Sequence, residues 1–422
     1  MIKKLNSIAG FLIIITPMLM ITGAFLSDLS VVLIDLMFLL IIFKEKKTYV
    51  LNNIYFKYLF ALWLYFTIRS VFAEDILLSL KSSFFYIRFI ILIYAISFFL
   101  ERNEKLIKSF FKYLMITVGI LCADALFQFV FAVNLLNFDE NGFDKLNGLF
   151  GDEGVLGSYL LKFSVLIFAL INYLEFDKKK YKLLLFIIII ILGIVIFLSG
   201  SRSSLFLYIM FLSFLYLVNK NIRKVILNTI GICLIFFFVA GQINNKVYYK
   251  ISYMLMDPFK TMFDEDVKPN NLKDKEFIIF TKIYHTHYET AYNIFLDNKL
   301  FGVGTKMFRI ACNDPRFYIN KFSCTTHPHN YYIQILAENG IIGFFGFLFI
   351  FLRLGYLILR KIILINFKGE NNKLEPSLIL LIGLFVNLWP IIPTGNFFNN
   401  CLSIAIYFPM GFYLYLRKKS GE

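Results

Sequence analysis

KLLLFIIIIILGIVIFLSGSRSSLFLYIMFLSFLYLV, residues 182–218, is two apolar runs joined by a short polar turn. Each run is close to the roughly 20 apolar residues an α-helix needs to cross a bilayer. Neither alternates apolar and polar residues as the wall of a membrane β-barrel would. The stretch reads as two spanning helices, about 181–199 and 203–219, folded back on each other at LSGSRSS. The same reading extends outward in both directions. Runs fall at about 8–25, 27–44, 54–73, 81–100, 106–133 and 154–174 before it, and at about 222–241, 330–356, 376–394 and 398–416 after it. The composition agrees: of 422 residues 59% are hydrophobic and only 17% charged, with mean hydropathy +0.71. Soluble chains carry about 25% charged residues, so a water-soluble enzyme, a disordered chain and a disulfide-dense secreted scaffold are excluded. The expected fold class is an all-α polytopic membrane protein with about twelve transmembrane helices.

The net charge of +15 raises the question of nucleic acid, but the placement of the basic residues answers it. Lys3 and Lys4 precede the first span. Lys44, Lys46 and Lys47 follow the second, Arg102, Lys105 and Lys108 the fourth, and Lys178, Lys179, Lys180 and Lys182 the sixth. Lys220, Arg223 and Lys224 follow the eighth span, Arg360, Lys361, Lys368 and Lys373 the tenth, and Arg417, Lys418 and Lys419 end the chain. The alternate loops are nearly free of such residues; Lys145 and Arg202 stand there. Basic residues collect on the cytoplasmic side of membrane proteins. Both termini are therefore expected in the cytoplasm, the charge is topology, and no nucleic-acid partner is implied. The first run begins like a signal peptide, but the second follows almost at once without a small-residue cleavage site, so it is read as a retained span.

One connection breaks the pattern. Residues 242–329 form a polar loop of roughly 90 residues, a length that points to function or disorder. Alternation puts it on the outer side, and its Tyr, Phe and Ile content points to partial folding. The expected organisation is nine spans over 1–241, the loop domain over 242–329 and three spans over 330–422. Cys122, Cys233 and Cys401 lie in apolar runs and read as small buried hydrophobes. Cys312 and Cys324 both lie in the loop, where a disulfide is expected; closing a loop of this size is worth roughly 3 kcal/mol. All four His residues of the chain, His285, His287, His327 and His329, are also in the loop. Their i,i+2 spacing matches the usual zinc sites poorly, so no metal and no cofactor is expected. Histidine titrates near neutrality, and His327 and His329 immediately precede the tenth span. They are placed to act on the polar head of an amphiphile whose tail lies in the bilayer.

The remaining signals are polar residues at membrane depth. Asn330, Gln334 and Glu338 recur at i, i+4 and i+8 and share one helix face. That face either lines a wet cleft or lets Glu338 pair with a neighbouring Arg. Gly340, Gly343 and Gly346 follow and permit close helix packing. Arg69, Arg88 and Arg202 stand near the outer ends of early spans, and a guanidinium suits phosphate oxygens. Snorkelling to the interface is the competing reading, strongest for Arg69. Asp152 and Glu153, next to three Gly residues, suit a sugar hydroxyl, an Arg partner or solvent.

THPHNYYIQILAENGIIG at 326–343, preceded by LFGVG at 300–304, resembles the signature of the O-antigen ligase and polymerase superfamily. LSGSRSS resembles its Ser-Arg turn, KLNGLFGDEGVLGSYL at 145–160 its Gly-rich lead-in to the sixth span, and PTGNFFNN at 393–400 its last outer turn. The resemblance implies a GT-C-like, metal-independent glycosyltransferase of a Gram-negative inner membrane with a periplasmic active site. Its donor is an undecaprenyl-diphosphate-linked glycan. Its acceptor is lipid A-core in a ligase or a second lipid-linked glycan in a polymerase, and membrane lipids surround it. By the same resemblance Arg202 holds the diphosphate and His329 activates the acceptor. Two departures stand out. The loop Arg of relatives is replaced by KIYHTHYET, so Lys282, His285 or His287 has to serve, and the Arg opening the sixth-span motif is Lys145.

The expected mechanism follows. Arg202, with Arg88 and Arg69, stabilises charge on the departing diphosphate. His329, beside His327, takes the acceptor proton, with Glu338 or Asp152 orienting sugar or imidazole. Glu153, Lys145, Asn330 and Gln334 complete the substrate site. Attack opposite the leaving group inverts the anomeric centre. A flippase for the same lipid is the competing class, but it calls for polar groups deep in both halves and no large outer loop. A haem-handling protein is disfavoured by the presence of only two Trp, Trp63 and Trp389.

Overall fold

The computed structural model describes residues 1–47, 51–139, 145–174, 178–256, 280–367 and 375–420. Lys368, Lys373 and residues 257–279 of the long polar loop lie outside these. Among the described residues there are helices and turns but no named strand; one isolated bridge joins Val133 and Asp139.

In chain order the helices are α1 (Ile2–Leu19), α2 (Ala24–Lys44), α3 (Ile54–Val71), α4 (Ile76–Ser83), α5 (Ile87–Arg102), α6 (Lys105–Phe131), α7 (Leu156–Tyr173) and α8 (Lys178–Leu198). There follow α9 (Arg202–Val218), α10 (Arg223–Ile243), α11 (Asn245–Ile251), α12 (Lys282–Asp297), α13 (Phe308–Ala311), α14 (Tyr331–Phe367), α15 (Pro376–Asn387) and α16 (Asn400–Lys419). Their starts follow from side chains that satisfy orphan amides at a helix N-terminus. Asn53 accepts from Phe56 N, Asp75 from Leu78 N, Thr281 from Tyr284 N and Asn399 from Leu402 N.

Among the described residues, eight helical segments are long and apolar enough to cross a membrane. They are α1, α2, α4 with α5, α6, α7, α8, α10 and α14. The runs on the sequence suggest about twelve, and the shortfall has physical reasons. α9 and α15 are apolar but short. α3 carries Lys57 and Arg69, and α16 ends in Arg417, Lys418 and Lys419. The protein is thus an all-helical polytopic membrane protein.

α7 and α5 form the centre. Most of their surface is covered by neighbours, as expected of helices apolar on all sides. α7 touches α8, α15 and α16, and α5 packs along α16. At one end of the bundle the basic residues meet acidic partners: Arg102 pairs with Glu45, Lys418 with Glu101 at 2.7 Å, Lys419 with Glu104, and Lys361 with Glu375 at 3.4 Å. These pairs gather the ends of α2, α5, α6, α14, α15 and α16 on one face. The segments considered next lie at the opposite ends of the helices.

Candidate active site

The shape of the site is set by α14. It begins at Tyr331, breaks at Gly340 (φ 66°) and resumes to Phe367. At the break the carbonyls of Ala337 and Glu338 accept from Val303 N (3.1 Å) and Gly304 N (2.7 Å), and Ile341 N donates to Lys299 O (2.9 Å). The Tyr65 hydroxyl donates to the Asn339 carbonyl at 2.6 Å. The polar backbone freed by the break is therefore satisfied within the protein, the condition under which non-helical backbone is tolerated at membrane depth. Both glycines of the contact are required. Gly302 has φ 67°, and a Cβ there would stand 2.4 Å from the Glu338 carbonyl carbon; a Cβ on Gly340 would stand 2.3 Å from Leu300 O. LFGVG and AENG are two halves of one interlock. Gly340 is accordingly a break and not the packing glycine expected, whereas Gly343 and Gly346 do approach α3, at Tyr65, Phe66 and Leu62.

Arg69 fastens this interlock. Its Nε donates to Phe301 O at 2.9 Å and its Nη2 to Gly302 O. The polar stripe of α14 takes neither of the two expected arrangements. Asn330 caps the helix, accepting from Tyr332 N and Ile333 N, and its Nδ2 donates to Pro390 O at 2.7 Å. Gln334 donates to Glu338 (3.0 Å) and Asn396 (3.1 Å) and accepts from Phe397 N. Glu338 is fully buried and also accepts from Phe308 N at 3.3 Å. The stripe lashes the start of α14 to the 388–397 segment on one side and to the 302–308 turn on the other.

Three of the four histidines come together at the head of α14. The rings of His327 and His329 are 4.2 Å apart, those of His287 and His329 5.4 Å and nearly parallel, and Tyr284 meets His329 edge-on at 5.3 Å. α12 brings His287 and Tyr284; His285, two residues from His287, lies on the other side of that helix. His329 adopts a positive φ of 54°. Histidine enters this region more readily than most residues, and here the His329 carbonyl is held by Thr394 N at 2.8 Å. His287 Nδ1 and His327 Nε2 are buried without a hydrogen-bond partner.

Burial, reinforced by neighbouring His329, pushes His287 down to about 4 and His327 to about 3. Burial also lowers His329, against an opposing backbone contact from Thr394. The cluster is neutral at neutral pH, so an imidazole there is free to accept a proton. Among the described residues no group of three or more His, Cys, Asp or Glu side chains is placed to hold a metal ion.

His327 lines a cavity of about 900 Å³ that also reaches Lys306, Arg309, Glu153, Lys162 and Thr394. Pockets of about 300–1,000 Å³ suit organic ligands. Lys306 and Arg309 were not singled out in the sequence, because they follow the GVG turn with no spacing that marks them; the turn itself aims them. Burial lowers the Lys306 amine, and neighbouring Arg309 lowers it further. Arg309 donates to Thr326 O at 3.2 Å, and its buried Nε has no hydrogen-bond partner.

The other expected anion contacts lie around this centre. Arg202 donates Nε and Nη2 to the Tyr253 carbonyl (3.1 and 2.6 Å) and lies 4.1 Å over the Tyr253 ring. It is close enough to Tyr284 to act on it electrostatically; its neighbours Ser201, Ser203 and Ser204 line the cavity. Arg88 pairs with Asp28 at 2.8 Å and donates to Phe85 O. Asp152 and Glu153 are exposed, with Glu153 on the cavity wall, and Lys145 lies beside Gly154. Cys312 and Cys324 are joined in a disulfide (Cα–Cα 5.2 Å), and Cys312 is buried with Ala291, Ile294, Phe308 and Phe317. This small core anchors α12 and α13 against α14.

Residues 184–348 match the family model Wzy_C, described as O-antigen ligase. That stretch, less than half of the chain, is similar to the O-antigen ligase domain. The matched stretch runs from α8 to the first part of α14. It contains Arg202, all four histidines and the interlock, whereas KLNGLFGDEGVLGSYL and PTGNFFNN lie outside it. No curated protein matches the chain. The O-antigen ligase family is glycosyltransferase-like and works on lipid-linked glycans in general. This similarity agrees with the multi-pass membrane character of the apolar helices.

Proposed function

We propose that the protein is a membrane glycosyltransferase that moves a glycan from undecaprenyl diphosphate onto a sugar of lipid A-core at the periplasmic face of a Gram-negative inner membrane. The observation that carries this reading is the neutral His287–His327–His329 cluster, whose His327 lines a cavity that also holds Lys306 and Arg309. In the reaction the acceptor hydroxyl gives its proton to His329 as its oxygen bonds the anomeric carbon. The bond from that carbon to the diphosphate breaks, with inversion. Arg202, Lys306 and Arg309 stabilise the charge that gathers on the diphosphate. Arg88, held by Asp28, and Arg69, held by the Phe301 and Gly302 carbonyls, are left out of this cationic side, as is His285 on the far side of α12. Asp152, Glu153 and Lys145 meet sugar hydroxyls at the rim, while Asn330, Gln334 and Glu338 hold the wall in place. The bias of basic residues supports a twelve-span, GT-C-like chain with both termini cytoplasmic.

Deleting the gene and separating lipopolysaccharide on gels tests the reading. Core without attached glycan, with polymerised lipid-linked glycan accumulating, is the expected result. Core bearing one repeat instead means a polymerase that extends the lipid-linked glycan, a reading favoured by Lys145 and KIYHTHYET standing where relatives carry Arg. An unchanged gel overturns both.

The titration of the cluster gives a second expected result. Protonation removes the base, so activity falls as the pH drops through its pKa, and burial sets that pKa below the ordinary 6.5 of histidine. The acidic limb of kcat/KM for the purified enzyme is expected below pH 6.5; a limb at or above 6.5 counts against His329 as the base.

A further inference from the structure

α7 is buried almost throughout, yet it carries Lys162 in the middle of its apolar sequence. Lys162 is 9% exposed, and among the described residues its only hydrogen-bond partner is the Ser158 hydroxyl one turn earlier. No carboxylate among them lies within ion-pair reach of it. An ammonium in a membrane-spanning helix is costly and normally faces a partner or a cavity. Lys162 faces a cavity, the one that holds His327, Lys306 and Arg309.

Three further observations on that cavity point to a ligand. Asn387 Oδ1, Thr394 Oγ1 and His327 Nε2 line it, are buried and have no hydrogen-bond partner; buried polar atoms left this way ask for an explanation in a bound group. The cavity wall holds three cations, Lys162, Lys306 and Arg309, against one carboxylate, Glu153. Part of the wall is apolar, with Met20, Ile21, Leu402 and Ala405, and suits a hydrocarbon chain.

We propose that Lys162 is a phosphate-binding residue of this cavity, contacting the diphosphate of a lipid-linked donor from the membrane side while Lys306 and Arg309 contact it from the loop side. The assignment of a diphosphate rests on the function proposed above. The geometry by itself asks for a phosphate on an apolar tail. Ser158 holds the ammonium in position, and the close approach of Gly157 to Ser199, Ser201 and Ser204 keeps α7 against the turn before α9.

The test uses the purified full chain in nanodiscs and geranylgeranyl diphosphate as the probe. Lys162→Met is expected to weaken binding about ten- to a hundredfold, the worth of a charge-assisted hydrogen bond, and to raise the donor KM in the transfer assay. Lys162→Arg keeps the cation and is expected to lose less affinity than the Met variant. The Met variant is expected to keep or raise the melting temperature, because removing a lone buried charge does not weaken packing; a purely structural lysine gives the reverse. Lys162→Gln is measured alongside, so that binding is still read if the Met variant fails to fold.

Competition by inorganic pyrophosphate that depends on Lys162 places the diphosphate head there. Displacement of the probe by phosphatidylglycerol but not by pyrophosphate makes the anion an ordinary lipid phosphate and overturns the assignment. Unchanged affinity in both the Met and Gln variants also overturns it. If those variants bind and transfer normally while His329→Ala is inactive, the Lys162 site fails and the proposed function stands. If the probe binds through Lys162 but no glycan is transferred, the function fails and the site stands.

Discussion

Replacing His329 by alanine is expected to lower the transfer rate about 10²–10⁴-fold, the usual contribution of a positioned general base. The imidazole is the member of the cluster that touches all the others: His327 at 4.2 Å, His287 at 5.4 Å and the Tyr284 edge at 5.3 Å. Its carbonyl accepts from Thr394 N, and that tie to the 388–397 segment survives removal of the ring, although the ring's own backbone contact with Thr394 is lost. Putting alanine at φ 54° adds a folding cost of about 1–2 kcal/mol. The measurement is kcat of purified enzyme beside its melting temperature. Activity within about threefold of wild type in a normally expressed His329→Ala protein removes His329 from the chemistry. Arg202→Ala is the companion. The guanidinium is held by the Tyr253 carbonyl and ring, so its loss removes a cation and also loosens the segment after α11. Full activity in both variants would place the active centre elsewhere.

The second large effect is on folding. Gly340→Ala and Gly302→Ala are each expected to destabilise the interlock by about 2–5 kcal/mol, summing backbone strain at positive φ with overpacking. The obstruction is rigid: the new methyl would meet backbone atoms at 2.3 Å for Gly340 and 2.4 Å for Gly302, and backbone cannot rotate aside as a side chain does. Hydrogen exchange at Val303, Gly304 and Ile341, whose amides cross the break, reads the effect locally. Melting of the detergent-solubilised protein reads it globally. Protection and melting equal to wild type would show that the α14 break does not depend on this contact.

Much of the bundle is legible in the sequence because a spanning helix is a one-dimensional signal: length and apolarity suffice. That signal weakens at α3, α9, α15 and α16, where charge or shortness leaves membrane crossing undecided by composition. The histidines were legible as a group, since all lie in one loop, but the pairing of His287 with His327 and His329 depends on α12 folding back onto the head of α14. The stripe Asn330, Gln334, Glu338 was legible as a face. Its use was not, because its partners, Phe308, Pro390 and Phe397, are distant in sequence. Arg69 and Arg88 show the same limit: each reads as an anion contact until its carbonyl or carboxylate partner is seen. Lys162 did leave a sequence signal, a lone lysine inside an apolar run.

The interlock also bears on how the chain is made. The 299–304 turn precedes α14, so it leaves the ribosome first. When the carbonyls of Ala337 and Glu338 and the amide of Ile341 emerge, the amides of Val303 and Gly304 that donate to those carbonyls and the Lys299 carbonyl that accepts from Ile341 already exist. Reversing that order would leave a broken helix waiting in hydrocarbon with unmet polar groups, at several kcal/mol each. The position of the loop ahead of the helix it repairs is therefore a matter of timing in biogenesis as well as of architecture. A circularly permuted chain that synthesises α14 first should insert poorly even though its finished contacts are identical.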